Sequence, residues 1–351
     1  MRGVEKNVHR VLVAGGAGFI GSNLVHHLIE RSDIVDCVDN LITGNAANIA
    51  KFHGRNSFRF IAADINIREM LQQIESVEYD EIYNLACPTG VPNIAFFGEE
   101  MLMTSSLGNL NLLRIAERCG AKFLYASSAE VYGNPEITPQ PETYNGDVNP
   151  VGPRSAYEEG KRFGESLTAY FAKTYGLDAR IIRIFNTYGP NMSLNETRVI
   201  PAMLMALIKG LPVKIYGDGN NTRSFQYVTD LLSAFDCAMA KKCEGDVFNV
   251  GGDQEVKIIE LFEICKSVTE RADLPQFLPH FIEDHSRRKP DTAKIRKLGW
   301  NQKVSLEEGL AFAYADMARR SLPRKRQART SAPFAANTGQ GQLAAALHVF
   351  K

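Results

Sequence analysis

The sequence predicts an α/β fold in which a doubly wound parallel sheet is followed by a smaller C-terminal lobe. Short apolar runs alternate with segments of helical periodicity over the first half of the chain. This alternation is typical of parallel strands whose two faces are covered by helices. A glycine cluster follows the first apolar run, and after about residue 187 the alternation becomes less regular. The irregular part predicts the second lobe.

Six apolar runs predict the buried strands of the sheet. They are RVLVAG (10–15), IVDCVDN (34–40), FRFIAAD (58–64), EIYNLAC (81–87), KFLYASS (122–128) and ARIIRIFN (179–186). Amphipathic segments predict helices over 21–31 and 107–120. In the second lobe, the pattern predicts helices over 199–210 and 228–242 and short strands over 212–217 and 246–252. The expected organisation is a domain over 8–186, a lobe over 187–318 and a flexible tail over 319–351.

Composition and charge are those of an ordinary globular protein. The 351 residues are 44% hydrophobic and 23% charged, with 40 basic and 40 acidic side chains. This balance predicts no nucleic-acid partner and no membrane partner. The polar first nine residues and the short apolar runs predict a cytoplasmic protein. Six cysteines without CxxC spacing and scattered histidines predict reduced thiols and no metal site.

The glycine cluster GGAGFIG lies between the first predicted strand and the first predicted helix. Gly15, Gly18 and Gly21 are three residues apart, the wider-spaced form of the dinucleotide motif of Rossmann-type folds. Such glycines let the backbone approach a pyrophosphate, whose charge the helix N-terminus stabilises. Asp39, which ends the second strand, suits the hydroxyls of the adenosine ribose and would repel a 2′-phosphate. Together they predict NAD rather than NADP as the cofactor.

Other residues near this motif are expected to contact the cofactor. Asp64 ends the third strand, where it would reach the adenine, although a simple loop aspartate is an equally good interpretation. The remaining candidates are Phe19, Ile20, Asn40, Ile65, Leu85 and Ala86.

The segment SAYEEGK (155–161) places Tyr157 and Lys161 four residues apart, on one face of a predicted helix. This spacing is common by chance, but the glycine motif and SSAEVYG (127–133) favour a catalytic pair. Oxidation of a hydroxyl needs a base at its oxygen while hydride leaves the carbon. The pKa of a free tyrosine, about 10, is too high for this role. A nearby lysine ammonium favours the phenolate and lowers that pKa.

These motifs together resemble the extended short-chain dehydrogenase/reductase family, in particular the enzymes that modify nucleotide sugars. The resemblance extends from residue 10 to about 315. Four segments are most similar to UDP-glucuronate decarboxylases: 149–165, 183–192, 223–230 and 287–300. The resemblance implies transient oxidation of a UDP-sugar at C4, with decarboxylation of UDP-glucuronate to UDP-xylose as the first expectation. It also implies a homodimer formed through paired helices.

The resemblance further assigns roles to individual residues. Tyr157 would be the base, Lys161 would also bind the nicotinamide ribose, and Ser127 or Ser128 would hydrogen-bond the reacting oxygen. A glutamate at the position of Glu130 is found in the decarboxylases and in 4,6-dehydratases, and usually not in 4-epimerases. A carboxylate there would transfer protons near C5, or would only hold the turn by hydrogen bonds.

The chain departs from the decarboxylase pattern beside this glutamate. Ser128 replaces a threonine, Ala129 replaces a residue with a hydroxyl, and Ser105 stands where an asparagine is common. The loop 87–101 also differs from the proline- and serine-rich loop of those enzymes. These departures keep 4-epimerisation and dehydration open as alternative reactions.

For the nucleotide-sugar end, the resemblance implies contacts from five residues. They are Asn186, Arg198, Tyr216, Arg223 and Arg288. The planar guanidinium group suits diphosphate oxygens, although for any single arginine a surface salt bridge is the alternative. A non-catalytic NAD-binding sensor or scaffold is the hypothesis from another class of protein. The intact Tyr157 and Lys161 argue against it, because a sensor needs no base.

Overall fold

The computed structural model describes residues 9–272, 274–279 and 288–322. Within these ranges the strands are β1 (Arg10–Ala14), β2 (Ile34–Asp39), β3 (Phe58–Ala62), β4 (Glu81–Asn84), β5 (Lys122–Ser128), β6 (Ala179–Ile184), β7 (Thr187–Tyr188), β8 (Val213–Tyr216), β9 (Thr222–Ser224), β10 (Gln226–Tyr227), β11 (Glu244–Val250), β12 (Glu255–Lys257) and β13 (Pro275–Leu278). The helices are α1 (Phe19–Glu30), α2 (Gln72–Glu75), α3 (Val91–Met103), α4 (Asn109–Cys119), α5 (Ser155–Tyr175), α6 (Val199–Lys209), α7 (Val228–Met239), α8 (Ile258–Thr269), α9 (Ala293–Arg296) and α10 (Leu306–Ser321). A π-helical segment, Thr104–Gly108, joins α3 to α4.

The main sheet of the described chain has seven parallel strands in the order β11, β6, β5, β4, β1, β2 and β3. The chain places β2 and β3 on one side of β1 and then returns to place β4 on the other side. The connections therefore diverge at the carboxyl ends of β1 and β4. Open α/β sheets bind their ligands at this kind of switch point. The predicted doubly wound parallel sheet is confirmed.

Helices cover both faces of the sheet, which explains why its strands are apolar on both sides. Val13 of β1 packs into a core that includes side chains of α1 and α7. The next residue back, Leu12, points to the other face and packs into a core that includes side chains of α4 and α5. Both residues are fully buried. The sheet is thereby a rigid support for the loops at its carboxyl edge.

The smaller lobe contains α6, α8, α10 and the strand pairs β8–β13 and β9–β12. The predicted strand over 246–252 exists, but its assignment to this lobe was wrong. β11 pairs in parallel with β6, with Phe248 opposite Ile182. This pairing satisfies backbone groups of β6 that an edge position would leave without a partner strand. Residues after 187 therefore complete the first domain.

The C-terminal helix extends into the segment predicted as a flexible tail. α10 begins with a capping box, in which Glu308 N donates to Ser305 Oγ at 3.3 Å and Ser305 N donates to the Glu308 carboxylate at 3.1 Å. The helix ends at Ser321, so residues 319–321 are helical. The rest of the predicted tail, from residue 323, lies outside the described residues. None of the described helices has the length and apolarity needed to cross a membrane.

Candidate active site

A cleft of about 1520 Å³ runs along the carboxyl edge of the main sheet and is lined by residues of both lobes. The structure brings together in this cleft every site residue that the sequence singled out. They are Gly15, Gly18, Phe19, Ile20, Gly21, Asp39, Asn40, Asp64, Ile65, Leu85, Ala86, Ser127, Ser128, Glu130, Tyr157, Lys161, Asn186, Arg198, Tyr216, Arg223 and Arg288.

The glycine loop connects β1 to α1 at one end of the cleft. Gly15 has a φ of +78°, and a Cβ atom on it would lie 2.7 Å from the main-chain nitrogen of Ala86. A Cβ atom on Gly21 would lie 2.1 Å from the carbonyl oxygen of Gly15. Gly18 caps α1 without a side-chain hydrogen bond, so the first N–H groups of the helix have no side-chain acceptor at the cap. The loop is therefore suited to receive a phosphate group through its backbone.

Asp39 closes the other side of this loop. Its Oδ2 accepts a hydrogen bond from Ala17 N at 2.9 Å, and its Oδ1 accepts one from Leu41 N at 2.8 Å. Burial raises the pKa of Asp39, and the two backbone hydrogen bonds partly oppose this rise. The carboxylate is thus held at the end of β2, beside the glycine loop, where a dinucleotide fold places its ribose-binding acid.

Asp64 continues the acidic edge of the cleft at the end of β3. Its Oδ2 accepts a hydrogen bond from Asn40 Nδ2 at 3.0 Å, and its Oδ1 accepts one from Asn66 N at 2.8 Å. The side chain is therefore fixed by its own loop and by the loop after β2. The glycine loop, Asp39 and Asp64 together fit the adenosine diphosphate part of NAD.

Tyr157 and Lys161 lie on α5 in the middle of the cleft. Lys161 is 3% exposed, and its Nζ donates to the carbonyl oxygen of Ala126 at 2.8 Å. The same Nζ lies 5.9 Å from the centre of the Tyr157 ring. Burial raises the pKa of Tyr157, and Cys87 adds to this rise, while a hydrogen bond with Ser128 lowers it. The structure therefore places the Lys161 ammonium beside the Tyr157 ring, as the sequence predicts for this pair.

The two serines at the end of β5 have different environments. Ser127 Oγ donates to Glu165 Oε1 at 2.5 Å, and Glu165 in turn pairs with Arg183 at 2.7 Å. Ser128 is the serine close enough to Tyr157 to lower the pKa of its phenol, and its Oγ accepts a hydrogen bond from Glu130 N at 3.2 Å. Of the two predicted candidates, Ser128 is therefore the one whose hydroxyl faces the base.

Glu130 is held between two arginines. Its carboxylate contacts the guanidinium groups of Arg154 and Arg288. Arg154 Nε also lies 3.3 Å from Glu158 Oε1. Burial raises the pKa of Glu158, and the charge of Glu130 adds to the rise. The cluster pairs two carboxylates with two guanidinium groups in the wall of the cleft, beside Tyr157.

Ala129 lies between Ser128 and Glu130 in the lining of the cleft. It also belongs to a small apolar cluster, in which it is buried with Val131, Tyr132 and Phe185. The residue that departs most from the decarboxylase pattern therefore contributes packing to the turn after β5.

The arginines of the substrate end lie at the mouth of the smaller lobe. Arg198 Nη2 pairs with Glu196 Oε2 at 2.7 Å, and Arg223 Nη1 donates to the carbonyl oxygen of Thr222 at 2.8 Å. Asn186 Nδ2 donates to the carbonyl oxygen of Ser224 at 3.3 Å. With Arg288, these groups give this end of the cleft a concentration of donors that suits a diphosphate.

Two cleft residues were missed by the sequence reasoning. Arg154 precedes Tyr157 by three residues, a spacing that places both on one helical face and could have identified it. Cys87 follows β4 and lies close enough to Tyr157 to raise its pKa. In the described ranges, no group of three or more His, Cys, Asp and Glu side chains could hold a metal ion.

Comparison with known proteins agrees with this geometry. Residues 11–251 match the NAD dependent epimerase/dehydratase family. UDP-glucuronic acid decarboxylase 1 of Arabidopsis thaliana is 40% identical over 321 residues, which cover 91% of this chain and 72% of that protein. UDP-glucuronic acid decarboxylase 1 of Danio rerio is 40% identical over 307 residues, covering 87% of this chain and 72% of that protein.

Comparison with solved structures also finds nucleotide-sugar epimerases and dehydratases. The UDP-glucose 4-epimerase of Thermotoga maritima, determined with UDP-glucose, has a TM-score of 0.81 and 31% identity, and the match covers 89% of this chain and 99% of that one. The dTDP-glucose 4,6-dehydratase of Bacillus anthracis, determined with NAD, has a TM-score of 0.77 and 26% identity, with coverage of 90% and 98%.

The fold and the cleft define an enzyme of the Rossmann type with a tyrosine–lysine centre. More particularly, the chain belongs to the NAD-dependent epimerase/dehydratase family. The family and the use of NAD predicted from the sequence are thereby confirmed.

Proposed function

We propose that this protein decarboxylates UDP-glucuronate to UDP-xylose through transient oxidation of the sugar at C4. The observation that carries the proposal is the arrangement of Tyr157, Lys161 and the Glu130 cluster in one cleft, in a chain 40% identical to UDP-glucuronic acid decarboxylases. NAD, when bound, supplies the nicotinamide ring that accepts hydride from the sugar and returns it.

The first task of the protein is to remove the proton of the C4 hydroxyl. Tyr157 does this as the general base, and Ser128 holds the reacting oxygen by a hydrogen bond. Since burial raises the pKa of Tyr157, its phenolate must be stabilised by a cation. Lys161 supplies that cation, because its buried ammonium is fixed by Ala126 beside the phenol.

The second task is to let the oxidised sugar lose carbon dioxide. With a ketone at C4, the carboxylate on C5 is that of a β-keto acid, and the carbon–carbon bond breaks without a metal. Arg288 and Arg154 balance the charges of Glu130 and Glu158. Their Nε–H groups, which have no hydrogen-bond partner in the described chain, are donors for an anionic sugar. Loss of carbon dioxide leaves an enolate, and its C5 takes up a proton that comes from water, with Glu130 as the group that relays it.

A second candidate reaction is 4-epimerisation of a UDP-sugar. It uses the same oxidation at C4 but reduces the other face of the sugar. The structural similarity to a UDP-glucose 4-epimerase favours it, as does Ala129, which lacks the hydroxyl found in decarboxylases.

Mass spectrometry of the products distinguishes these reactions. The NAD-loaded protein is incubated separately with UDP-glucuronate and UDP-glucose, and with the Tyr157→Phe variant as control. Loss of carbon dioxide from UDP-glucuronate supports the proposal. An isomer of unchanged mass identifies an epimerase, and loss of water identifies a dehydratase. A protein that binds NAD but converts neither sugar would instead be a sensor or scaffold.

We also propose that the protein is a homodimer formed through α3 and α5. Large apolar side chains are exposed on these helices and on the π-helical segment between α3 and α4, among them Phe96 at 77% and Phe163 at 54%. The others are Leu102, Met103, Leu107, Tyr170 and Tyr175. Exposed apolar side chains on two helices that pack against each other suit a second copy of the same surface.

A further inference from the structure

A second tyrosine lies next to the Tyr157–Lys161 pair. Tyr125 of β5 is 1% exposed, and the centre of its ring lies 5.1 Å from Lys161 Nζ. The ammonium is therefore near two aromatic rings, because the Tyr157 ring lies on its own helix at 5.9 Å. The carbonyl oxygen of Ala126, the residue after Tyr125, accepts its hydrogen bond.

The position of Tyr125 depends on Gly164. A Cβ atom on Gly164 would lie 2.0 Å from the Tyr125 hydroxyl oxygen and 2.3 Å from its Cζ. A larger residue there would force the ring away from α5 and from Lys161. Burial strongly raises the pKa of Tyr125, and the nearby Ser105 hydroxyl opposes this rise. In the described part of the chain neither hydroxyl has a hydrogen-bond partner, so packing of β5 against α5 holds the ring in place.

The charge of Lys161 has little other compensation in its surroundings. In the part of the chain that the structure describes, no carboxylate forms an ion pair with its ammonium. Burying an uncompensated charge is costly, and the negative face of an aromatic ring offsets part of this cost. At this distance the ring of Tyr125 provides such a contact.

We propose that Tyr125 is a positioning residue, whose ring holds the Lys161 ammonium in place beside Tyr157. This inference rests on the redox role proposed for Tyr157 and Lys161. If the ring attracts the cation less, the ammonium is held less firmly beside Tyr157 and supports the phenolate less. The expected consequence is that Tyr157 loses its proton at higher pH.

Other groups that face Tyr157 come from several elements. They are Cys87 from the loop after β4, Ser128 and Glu130 from the end of β5 and its turn, and Arg198 from the start of α6. Tyr125 itself also faces Cys87 and Glu165. The test must therefore change the negative charge density on the face of the ring while the shape of the ring stays nearly constant.

Fluorinated phenylalanines meet this requirement. Tyr125 is replaced by phenylalanine and by its mono-, di- and trifluoro forms, which progressively weaken the attraction of a ring for a cation. Titration of Tyr157 is followed by the near-ultraviolet absorbance of tyrosinate, with the matching Tyr157→Phe protein subtracted. We expect the midpoint to rise stepwise with fluorination, by up to about one pH unit over the series.

A double variant removes the ring altogether. Tyr125→Leu combined with Gly164→Ala fills the space that the tyrosine leaves, and it should restore a melting temperature close to the original while the titration midpoint stays raised. A midpoint that does not change along the fluorine series overturns the proposal. The proposal is also overturned if the titration midpoint in the Tyr125→Phe protein shifts as far as in the trifluoro form. Because the titration needs no sugar, a shift in a protein that converts no UDP-glucuronate would refute the proposed reaction and leave this inference standing.

Discussion

The guanidinium of Arg154 contacts the carboxylate of Glu130 from the residue that caps α5, one helical turn before Tyr157. It also contacts Glu158 through Nε, so one side chain links the turn after β5 to the catalytic helix. Arg154→Ala is expected to displace Glu130 and lower kcat by about 10²-fold, as small misplacements of catalytic groups do. Steady-state kinetics with UDP-glucuronate measures this loss.

A control for this variant is Arg114→Ala, which removes an ion-paired arginine outside the cleft. Arg154→Lys should recover little of the kcat that is lost in Arg154→Ala, because a single ammonium cannot reproduce the two contacts of the guanidinium. Full kcat in Arg154→Ala would show that Glu130 needs no positioning from this side.

In the proposed mechanism, Lys161 sets the pH range in which Tyr157 acts as a base. Burial raises the pKa of Tyr157, and removal of the ammonium in Lys161→Met raises it further. Since the phenolate is the active form, the acidic limb of the pH profile of kcat/KM should move to higher pH. At neutral pH we expect a loss of about 10²- to 10⁴-fold. Lys173→Met, on the exposed side of the same helix, is the control, and an unmoved acidic limb would contradict the assignment.

The glycine loop should not tolerate a methyl group at Gly21. The added Cβ would lie 2.1 Å from the carbonyl oxygen of Gly15, so Gly21→Ala must distort the loop. We expect NAD affinity, measured by calorimetry, to fall at least about tenfold. Gly54→Ala is a suitable comparison, because its Cβ would meet no atom within 4 Å, although Gly54, unlike Gly21, has a positive φ. Equal NAD affinity of the two variants would argue against this loop as the phosphate site.

Glu196 gives a pH-dependent contribution to stability. Its pKa is lowered despite burial, because the Arg198 guanidinium 2.7 Å away outweighs the desolvation. A pKa that is lower in the folded state than in the unfolded state stabilises the protein above the unfolded value, about 4.3, and this contribution disappears as pH falls through the folded value. Glu196→Gln should therefore reduce the free energy of unfolding at pH 7 by about 1 kcal/mol or less, since Arg198 is partly exposed.

Urea unfolding at several pH values tests this effect. The difference in free energy of unfolding between Glu196→Gln and the parent protein should shrink toward zero at acidic pH. Glu136→Gln, at an exposed site, should have the same free energy of unfolding as the parent at every pH. A difference that grows as pH falls has the wrong sign and would exclude the ion pair as its cause.

The exposed faces of α3 and α5 provide a test of assembly. Phe163→Glu places a charge in the proposed dimer interface and should yield a monomer by light scattering. Phe312→Glu changes a phenylalanine of nearly equal exposure, 55%, on α10, and should leave the dimer intact. A monomeric parent protein would refute the dimer outright.

The strands and the cofactor loop were predictable from sequence because their signals are local. An apolar run flanked by turns defines β1, and the glycine spacing defines the turn that follows it. β11 was misassigned for the opposite reason. Its sequence indicates a strand, but only its pairing with β6 shows to which sheet it belongs.

The same distinction applies to the candidate site. Tyr157 and Lys161 lie one helical turn apart, so a spacing rule identifies them. The contact between Glu130 and Arg288 joins residues 158 positions apart, and no pattern in the sequence reports it. The choice between Ser127 and Ser128 likewise depended on Glu165, which takes up one hydroxyl only in the folded chain.

The late return of the chain to form β11 has a consequence for protein engineering. A fragment that stops after residue 186 would contain the cofactor loop and the catalytic helix, yet β6 would become an unpaired edge. Asn249 of β11 accepts a hydrogen bond from the Tyr132 hydroxyl at 2.8 Å, and its backbone N–H donates to Glu142 at 2.9 Å. Without β11, the turn that bears Glu130 would therefore also lose its support. A minimal NAD-binding module cut from this protein must therefore keep the strand at 244–250, either by circular permutation or by grafting it back through a linker.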